Sequence, residues 1–248
     1  MKKFTTENIL LPDGMYTISP DVALINQSSI WNGIHELLKL LFKTEDPKTL
    51  SAVDLGCLEG GYTVEFAKMG FATTGIEARE LNYNHCLELQ DKFKLPNLCF
   101  FRDDVKNILN YGPFDISCCC GILYHLDHPV DFLKKLASKT KRLLIIHTHF
   151  SESTMCATFA KNTSEITEHE GKKGRWFYEY DEHMIDIESF NWASYSNHKS
   201  FWLDKYELIE TLKEVGFDIV FEQFEFHRDA LFLDSIQRNR GLFVAIKR

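Results

Sequence analysis

The sequence predicts an α/β fold built on a mostly parallel sheet, and three observations carry that prediction. Short apolar segments alternate with helical ones of roughly 7 to 13 residues from Ser51 to Thr148, the signature of successive strand–helix–strand units. The first of those strands runs straight into a glycine turn and then a helix, Val53-Asp54-Leu55-Gly56-Cys57-Leu58-Glu59-Gly60-Gly61-Tyr62. After a long irregular stretch, two more apolar segments, 217–221 and 241–246, close the chain.

Taken in order, residues 1–27 carry turn signals, Pro12-Asp13-Gly14 and Ser19-Pro20, and little periodicity. Ile30, Trp31, Ile34, Leu37, Leu38, Leu41 and Phe42 then recur at helical spacing behind an N-cap at Ser28 or Ser29, and Glu45-Asp46-Pro47 ends that helix. Strands are expected at 51–55, 72–76, 98–101, 114–120 and 142–148, with helices at 63–69, 81–93 and 129–138. Residues 150–200 are polar and aromatic without a sustained period, too long for an idle loop. A capped helix follows: Asp204 starts it, Glu207 completes a capping box, Tyr206, Ile209, Leu212 and Val215 face inward, and Gly216 stops it. The expected organisation is one domain: an N-terminal arm and helix over 1–47, a ligand-binding core over 48–149, an insertion over 150–200, and a closing helix with a strand hairpin over 201–248.

Composition narrows the function classes. Hydrophobic residues make up 44% and charged residues 26% of 248, an ordinary globular balance. No apolar run approaches the ~18 residues of a membrane span, and the start, Met-Lys-Lys-Phe-Thr-Thr-Glu, has no apolar stretch behind its charges, so a cytoplasmic protein with no membrane partner is expected. The net charge of −8 argues against a nucleic-acid surface, since phosphate binding is driven by Lys and Arg. Seven cysteines include the row Cys118–Cys120, whose neighbours point to opposite faces of a strand, and no Cys-x-x-Cys pair occurs. They read as reduced thiols rather than a zinc site. Oligomeric state leaves no signature.

A strand, a glycine turn and a helix start place a nucleotide-like ligand at the first strand's carboxyl end. A P-loop would need Gly-Lys-Ser/Thr, which is missing, and a dinucleotide fingerprint would need a glycine where Leu58 stands. S-adenosylmethionine (SAM) has no phosphate and is cationic at its sulfonium and amino group, so it calls for carboxylates. Asp54 lies at the loop's mouth, Glu77 closes the second strand where a carboxylate can take both ribose hydroxyls, and Asp104 follows the third strand where it can accept from the adenine amino group. Either Asp54 or Asp104 alone reads equally as a turn or helix cap. All three together, after three successive strands, point to SAM.

At these residues the chain resembles the class I SAM-dependent methyltransferases, from about residue 50 to the C-terminus. Asp54, Gly56 and Gly60 match the family's first motif, Glu77 its acidic second motif, and Asp104-Val105 its adenine motif. The resemblance implies a Rossmann-like seven-stranded sheet with an antiparallel C-terminal strand hairpin, a substrate cap inserted after strand five, and SAM held by Asp54, Gly56, Cys57, Leu58, Gly60, Glu77, Ala78, Asp104, Val105, Cys120 and Gly121. The run Asp-Leu-Gly-Cys-Leu-Glu-Gly-Gly looks like a bacterial subgroup acting on small molecules. Gly121-Ile122-Leu123-Tyr124-His125-Leu126 is also similar to a short motif of the tRNA wobble-uridine carboxymethyltransferases.

Methyl transfer from a sulfonium is an in-line displacement that aligns acceptor, methyl and sulfur and sometimes removes a proton. The acceptor side should lie at the carboxyl ends of strands four and five. His125 and His149 are the candidate bases there, because imidazole titrates near neutral pH; a hydrogen-bonded structural histidine is the alternative for each. His147, His149 and Glu152 could offer a small N/O metal site, but spacing alone does not carry it and no metal is assigned. From the motif and the insertion, Tyr124, Arg175, Trp176, Trp192, Asn197 and Trp202 are the candidate substrate contacts, with Arg175 suited to an acidic group; the aromatics read equally as a satellite core. Tyr16 is a candidate to close over the cofactor. The expected activity is methyl transfer from SAM to oxygen or nitrogen of a small molecule. A tRNA-modifying enzyme and a non-catalytic SAM-binding protein are the alternatives.

Overall fold

The computed structural model describes residues 3–181, 183, 188, 190, 192–224, 226 and 228–248. Among the described residues the strands are β1 (Ser51–Leu55), β2 (Ala72–Glu77), β3 (Leu98–Arg102), β4 (Phe114–Cys120), β5 (Thr140–His149), β6 (Thr167–His169), β7 (Lys172–Tyr178), β8 (Lys199–Leu203), β9 (Ile219–Glu222) and β10 (Arg240–Ile246). The α-helices are α1 (Ser29–Leu41), α2 (Gly61–Lys68), α3 (Glu80–Phe93), α4 (Pro129–Lys139), α5 (Lys205–Glu214) and α6 (Arg228–Arg238). No helix among the described residues is long and apolar enough to cross a membrane.

Seven strands form one sheet in the order β3-β2-β1-β4-β5-β10-β9. β1 to β5 are parallel, and β10 runs antiparallel to both β5 and β9, so six strands share a direction. The central strands are buried on both faces, as a parallel sheet between helix layers requires. Adjacent residues of one strand therefore enter opposite cores. Val53, Ile146 and Phe243 meet Leu133 and Leu136 of α4 and Leu208 and Leu212 of α5. Ala52, Ile145 and Val244 meet Trp31, Ile34 and Leu38 of α1 and Phe66 of α2. A third cluster joins Cys86 and Leu89 of α3 to Phe4, Ile9 and Leu11 of the N-terminal arm.

The first helix begins as its sequence predicts, with the Trp31 N–H donating to Ser28 Oγ at 3.1 Å. The structure adds to or departs from the sequence reading at four points. The closing strands pair antiparallel as expected, but α6 lies between β9 and β10, a helix illegible in sequence because Phe232, Leu233 and Ile236 are exposed apolar residues that blur its helical period. The insertion contains a second antiparallel sheet, β6-β7-β8, hidden from pattern reading because Gly174 and Arg175 are consecutive and both buried. On α5 Leu212 is buried and Ile209 and Val215 pack partly buried against the same core, as expected, but Leu208 and Thr211 complete that face and Tyr206 is 78% exposed. Asp204 caps that helix by accepting from the Tyr206 N–H, but Glu207 sits 3.6 Å from Lys172 rather than closing a capping box.

The arm is fastened to the glycine loop. Glu59, buried, accepts backbone N–H bonds from Thr5, Thr6 and Glu7 at 2.9, 3.0 and 2.8 Å. Glu7 in turn accepts the Gly61 N–H at 2.6 Å, which satisfies a free donor at the start of α2 and sets a carboxylate against its positive end.

Candidate active site

A cleft opens at the carboxyl ends of β1 to β4, where a doubly wound sheet places its ligands. Its empty volume is about 1060 Å3 with the open mouth included. Asp54, Gly56, Cys57, Leu58, Glu77, Ala78, Asp104, Val105, Cys120 and Gly121 all line it. Gly60 does not: it stands behind the loop with φ +94°, where a Cβ would meet the Phe100 ring at 3.1 Å. Gly56 has φ +65°, and a Cβ there would meet Ile122 at 2.9 Å, so both glycines are required by backbone shape and crowding.

Leu58 also adopts a left-handed conformation, φ 52°, uncommon for a residue with a branched side chain. That turn aims its N–H at Glu77 Oε2, 2.9 Å away. The Arg79 N–H donates to Glu77 Oε1 at 2.8 Å, so two backbone donors fix the carboxylate. Asp54 accepts from Thr63 Oγ1 at 2.7 Å, and Asp104 caps the next turn by accepting the Lys106 N–H at 2.9 Å. The cap role considered for Asp104 is thus present alongside its place on the cleft wall.

Burial dominates the electrostatics of this half. It raises Asp54 to about 6 and Glu77 to about 7, and lifts Glu7 well above the carboxylate range with help from the charges of Asp54, Glu59 and Glu77. Among the described residues neither Asp54 nor Glu7 forms an ion pair. Because the ordinary value for Glu77 is 4.5, the folded chain between pH 4.5 and about 7 holds a proton that the unfolded chain releases. Stability therefore falls as pH rises through that window. Thermal melts of the free protein should show a lower melting temperature at pH 7.5 than at pH 4.5 from this group, and Glu77→Gln should reduce that pH dependence.

The other half is built on the 3-10 turn Leu123–His125 that follows β4. Tyr124 and His125 line the cleft. His125 Nδ1 lies 2.8 Å from Glu179 Oε1, and Glu179, almost fully buried, also accepts from Ser200 Oγ at 2.8 Å. With Nδ1 committed, Nε2 is the ring atom left for a ligand, and it has no partner among the described residues. Glu179 had no local sequence signal; it follows an aromatic run at the end of β7 and meets His125 only through the second sheet.

His149 lies elsewhere. It stacks on Trp202 with ring centroids 4.8 Å apart, its Nδ1 is 2.9 Å from the Arg238 carbonyl, and burial lowers it to about 3. That is the structural alternative, not a base facing the cleft. Among the described residues His147, His149 and Glu152 do not converge as a metal set, and Glu152 instead accepts from Asn239 at 3.3 Å.

The insertion splits into lining and support. Trp192, 68% exposed, stands on the cleft with Ala193, Ser194, Tyr195 and Ser196, and the Arg79 guanidinium donates to the Ala193 carbonyl at 2.7 Å to tie this segment to β2. Asn197 and Trp202 are outside the cleft but hold its wall: Asn197 Nδ2 donates to the His125 carbonyl at 3.0 Å and Trp202 Nε1 to the Tyr124 carbonyl at 2.8 Å. Trp176 packs against Phe201 and His169 in the satellite core. Arg175 is buried beneath the second sheet and donates to the carbonyls of Ser164, Ser153 and Glu152 at 2.8, 3.2 and 3.4 Å, so it carries no free charge into the cleft. Arg175→Met should cost about 1–3 kcal/mol of stability by stranding those carbonyls, with ligand affinity unchanged, as melts and calorimetry would show. Tyr16 lies on the arm's outer turn, paired with Leu10 and away from the cleft; Glu7 is the arm's contribution. Tyr62, Asn82, Ile122, Leu126 and Arg240 also line the cleft, and none of them is legible as a site residue from sequence.

A family model described as a methyltransferase domain matches residues 30–222. Two curated Escherichia coli proteins, both named O-antigen chain terminator bifunctional methyltransferase/kinase WbdD, are 26% identical over 101 residues. Those matches cover 37% of this chain and 14% of each relative, so the chain corresponds to a small part of them. Among solved structures, the N-terminal domain of EvdMO1 with S-adenosylhomocysteine (SAH) bound superposes with a TM-score of 0.65 at 19% identity, covering 90% of this chain and 82% of that one. Magnesium protoporphyrin IX methyltransferase from Synechocystis PCC 6803 with bound SAH gives 0.56 at 16% identity, over 93% and 90%. The 1,6-didemethyltoxoflavin-N1-methyltransferase of Burkholderia thailandensis gives 0.57 at 15%, over 90% and 79%. The chain belongs to the methyltransferase domain family, and its fold is that of the class I SAM-dependent methyltransferases.

Proposed function

We propose that this methyltransferase holds SAM in the cleft, adenosine toward Glu77 and Asp104, and methylates an oxygen or nitrogen of a small-molecule acceptor at His125. The observation that carries it is one cleft with two chemically different halves. Three acids from the ends of β1, β2 and β3 line one side, and a buried His–Glu pair stands on the other. The donor set fits the cofactor. Asp54 and Glu7 are buried carboxylates with no cation beside them among the described residues, a setting that favours a cationic ligand. Glu77 keeps acceptor capacity beyond its two backbone bonds for vicinal hydroxyls. The solved neighbours with SAH or SAM bound support the same reading, and their named substrates are small molecules.

SAM, when bound, supplies an electrophilic methyl group. Glu179 fixes the His125 ring and stabilises the charge that appears on it when Nε2 takes the acceptor's proton. Asn197 and Trp202 hold the backbone that carries the base. Trp192 and Tyr195 line the cleft from the insertion's side. The seven free cysteines suit a reducing, cytoplasmic setting.

The test is SAH release from SAM over a panel of small alcohols, phenols and amines, with bulk tRNA as a further acceptor. Turnover with members of the small-molecule panel supports the reading. Turnover with tRNA alone, falling steeply with salt, would reassign the acceptor to RNA. Tight SAM binding without turnover on any acceptor would leave a binding protein.

A further inference from the structure

The acceptor half of the cleft carries a cation without a counter-ion. Arg240 opens β10 and registers with His149 at the carboxyl end of β5, and its side chain lines the cleft. Its guanidinium lies over the Tyr124 ring, 5.4 Å from the centroid. Its Nε is buried with no hydrogen-bond partner, and among the described residues no carboxylate pairs with it. Close by, His147 Nε2 is buried and equally unpartnered. The imidazole is held well below the usual histidine range by burial and then by the Arg240 charge, so the arginine is the cation of this corner. Tyr124, Cys120 and Gly121 line the cleft with it, a Cβ at Gly121 would stand 3.9 Å from its Nη2, and the paired His149 is lowered by burial and then by the same guanidinium. A partly desolvated guanidinium with unmet donors is the arrangement that oxyanions answer, through charge-assisted and often bidentate hydrogen bonds.

Resting on the assignment of the acceptor half given above, we propose that Arg240 receives an anionic oxygen group of the acceptor, a carboxylate or phosphate monoester, and so sets the substrate class. The anion on Arg240 would place the rest of the acceptor along the Tyr124 ring, toward His125, whose ring centroid is 4.2 Å from that of Tyr124. The cofactor's own carboxylate has the same chemistry and is the competing source.

Fluorine NMR on the protein saturated with SAH separates the two, using 4-fluorobenzoate, 4-fluorophenyl phosphate and the neutral 4-fluorobenzyl alcohol as probes. At least one anion should bind and the alcohol should not. Arg240→Gln should weaken anion binding at least about tenfold while calorimetric SAH affinity stays within about threefold. Arg240→Lys should keep part of the anion affinity, since it preserves the charge but loses the fork, and it serves where the glutamine variant fails to fold. Equal binding of the alcohol, no anion binding to the wild type, or unchanged anion affinity in a folded variant would overturn the proposal. A loss of SAH affinity of tenfold or more in Arg240→Gln would give the guanidinium to the cofactor's carboxylate and overturn it as well. Failure of the wild type to bind SAH at all would strike the cofactor reading itself, a distinct result seen before any probe is added.

Discussion

Replacing His125 by glutamine should lower kcat by about 10²–10³-fold and leave SAH affinity within about threefold. The imidazole lies on the cleft wall, its Nδ1 is held at 2.8 Å by Glu179, and its Nε2 is the ring atom available for proton transfer. Glutamine preserves bulk and polarity but cannot take a proton at neutral pH, so the loss falls on chemistry rather than binding. Glu179→Gln should show a smaller loss of the same kind, about tenfold, because it removes the charge that supports the imidazolium while keeping a hydrogen-bond partner. The readout that separates proton transfer from packing is the split between kcat and KM, the loss falling on kcat with KM little changed. Equal kcat in the wild type and a folded His125→Gln variant would remove the base and leave positioning alone to drive transfer.

Glu77→Ala should weaken SAH binding by about 2–3 kcal/mol, or roughly 30–150-fold, measured by calorimetry. The carboxylate would lose its bonds to the ligand hydroxyls, and the N–H groups of Leu58 and Arg79 would lose the acceptor that orients them. Leu58 is held in a left-handed conformation that this acceptor supports, so the loop should relax as well. Glu77→Gln separates the two effects: the amide oxygen can serve one backbone donor, and the remaining deficit reports the ligand contact. Circular dichroism melts distinguish lost binding from lost fold, and the free protein should not be weakened by much, because the variant also removes a carboxylate that burial holds near pH 7.

Sequence patterning reached the parts of the molecule whose signals are local. β1 and β4 fall on their expected bounds because parallel strands are continuous apolar runs ending at glycines or turns. Asp54, Glu77 and Asp104 were legible because each sits at a strand's carboxyl end, a position set by chain order alone. What escaped depends on contacts between distant segments. Glu179 meets His125 across 54 positions, and Glu7 meets Gly61 across the same separation; neither is marked by its neighbours in sequence. Arg175 and Arg240 show the limit most clearly. Both are strand arginines at the edge of an apolar or aromatic run, yet one is spent on three backbone carbonyls and the other lines the cleft with its Nε unpartnered. The insertion is marked in sequence only by its length and aromatics; its division into a lining loop around Trp192 and a supporting sheet around Trp202 follows from tertiary packing.

The central claim is that the cleft at the ends of β1 to β4 is a SAM site, and calorimetric titration of the wild-type protein with SAH tests it most directly, with NAD as the control. The account predicts a single site of about micromolar affinity for SAH, near −8 kcal/mol, and no heat with NAD. A folded protein that gives no heat with SAH, or binds NAD equally well, would contradict it.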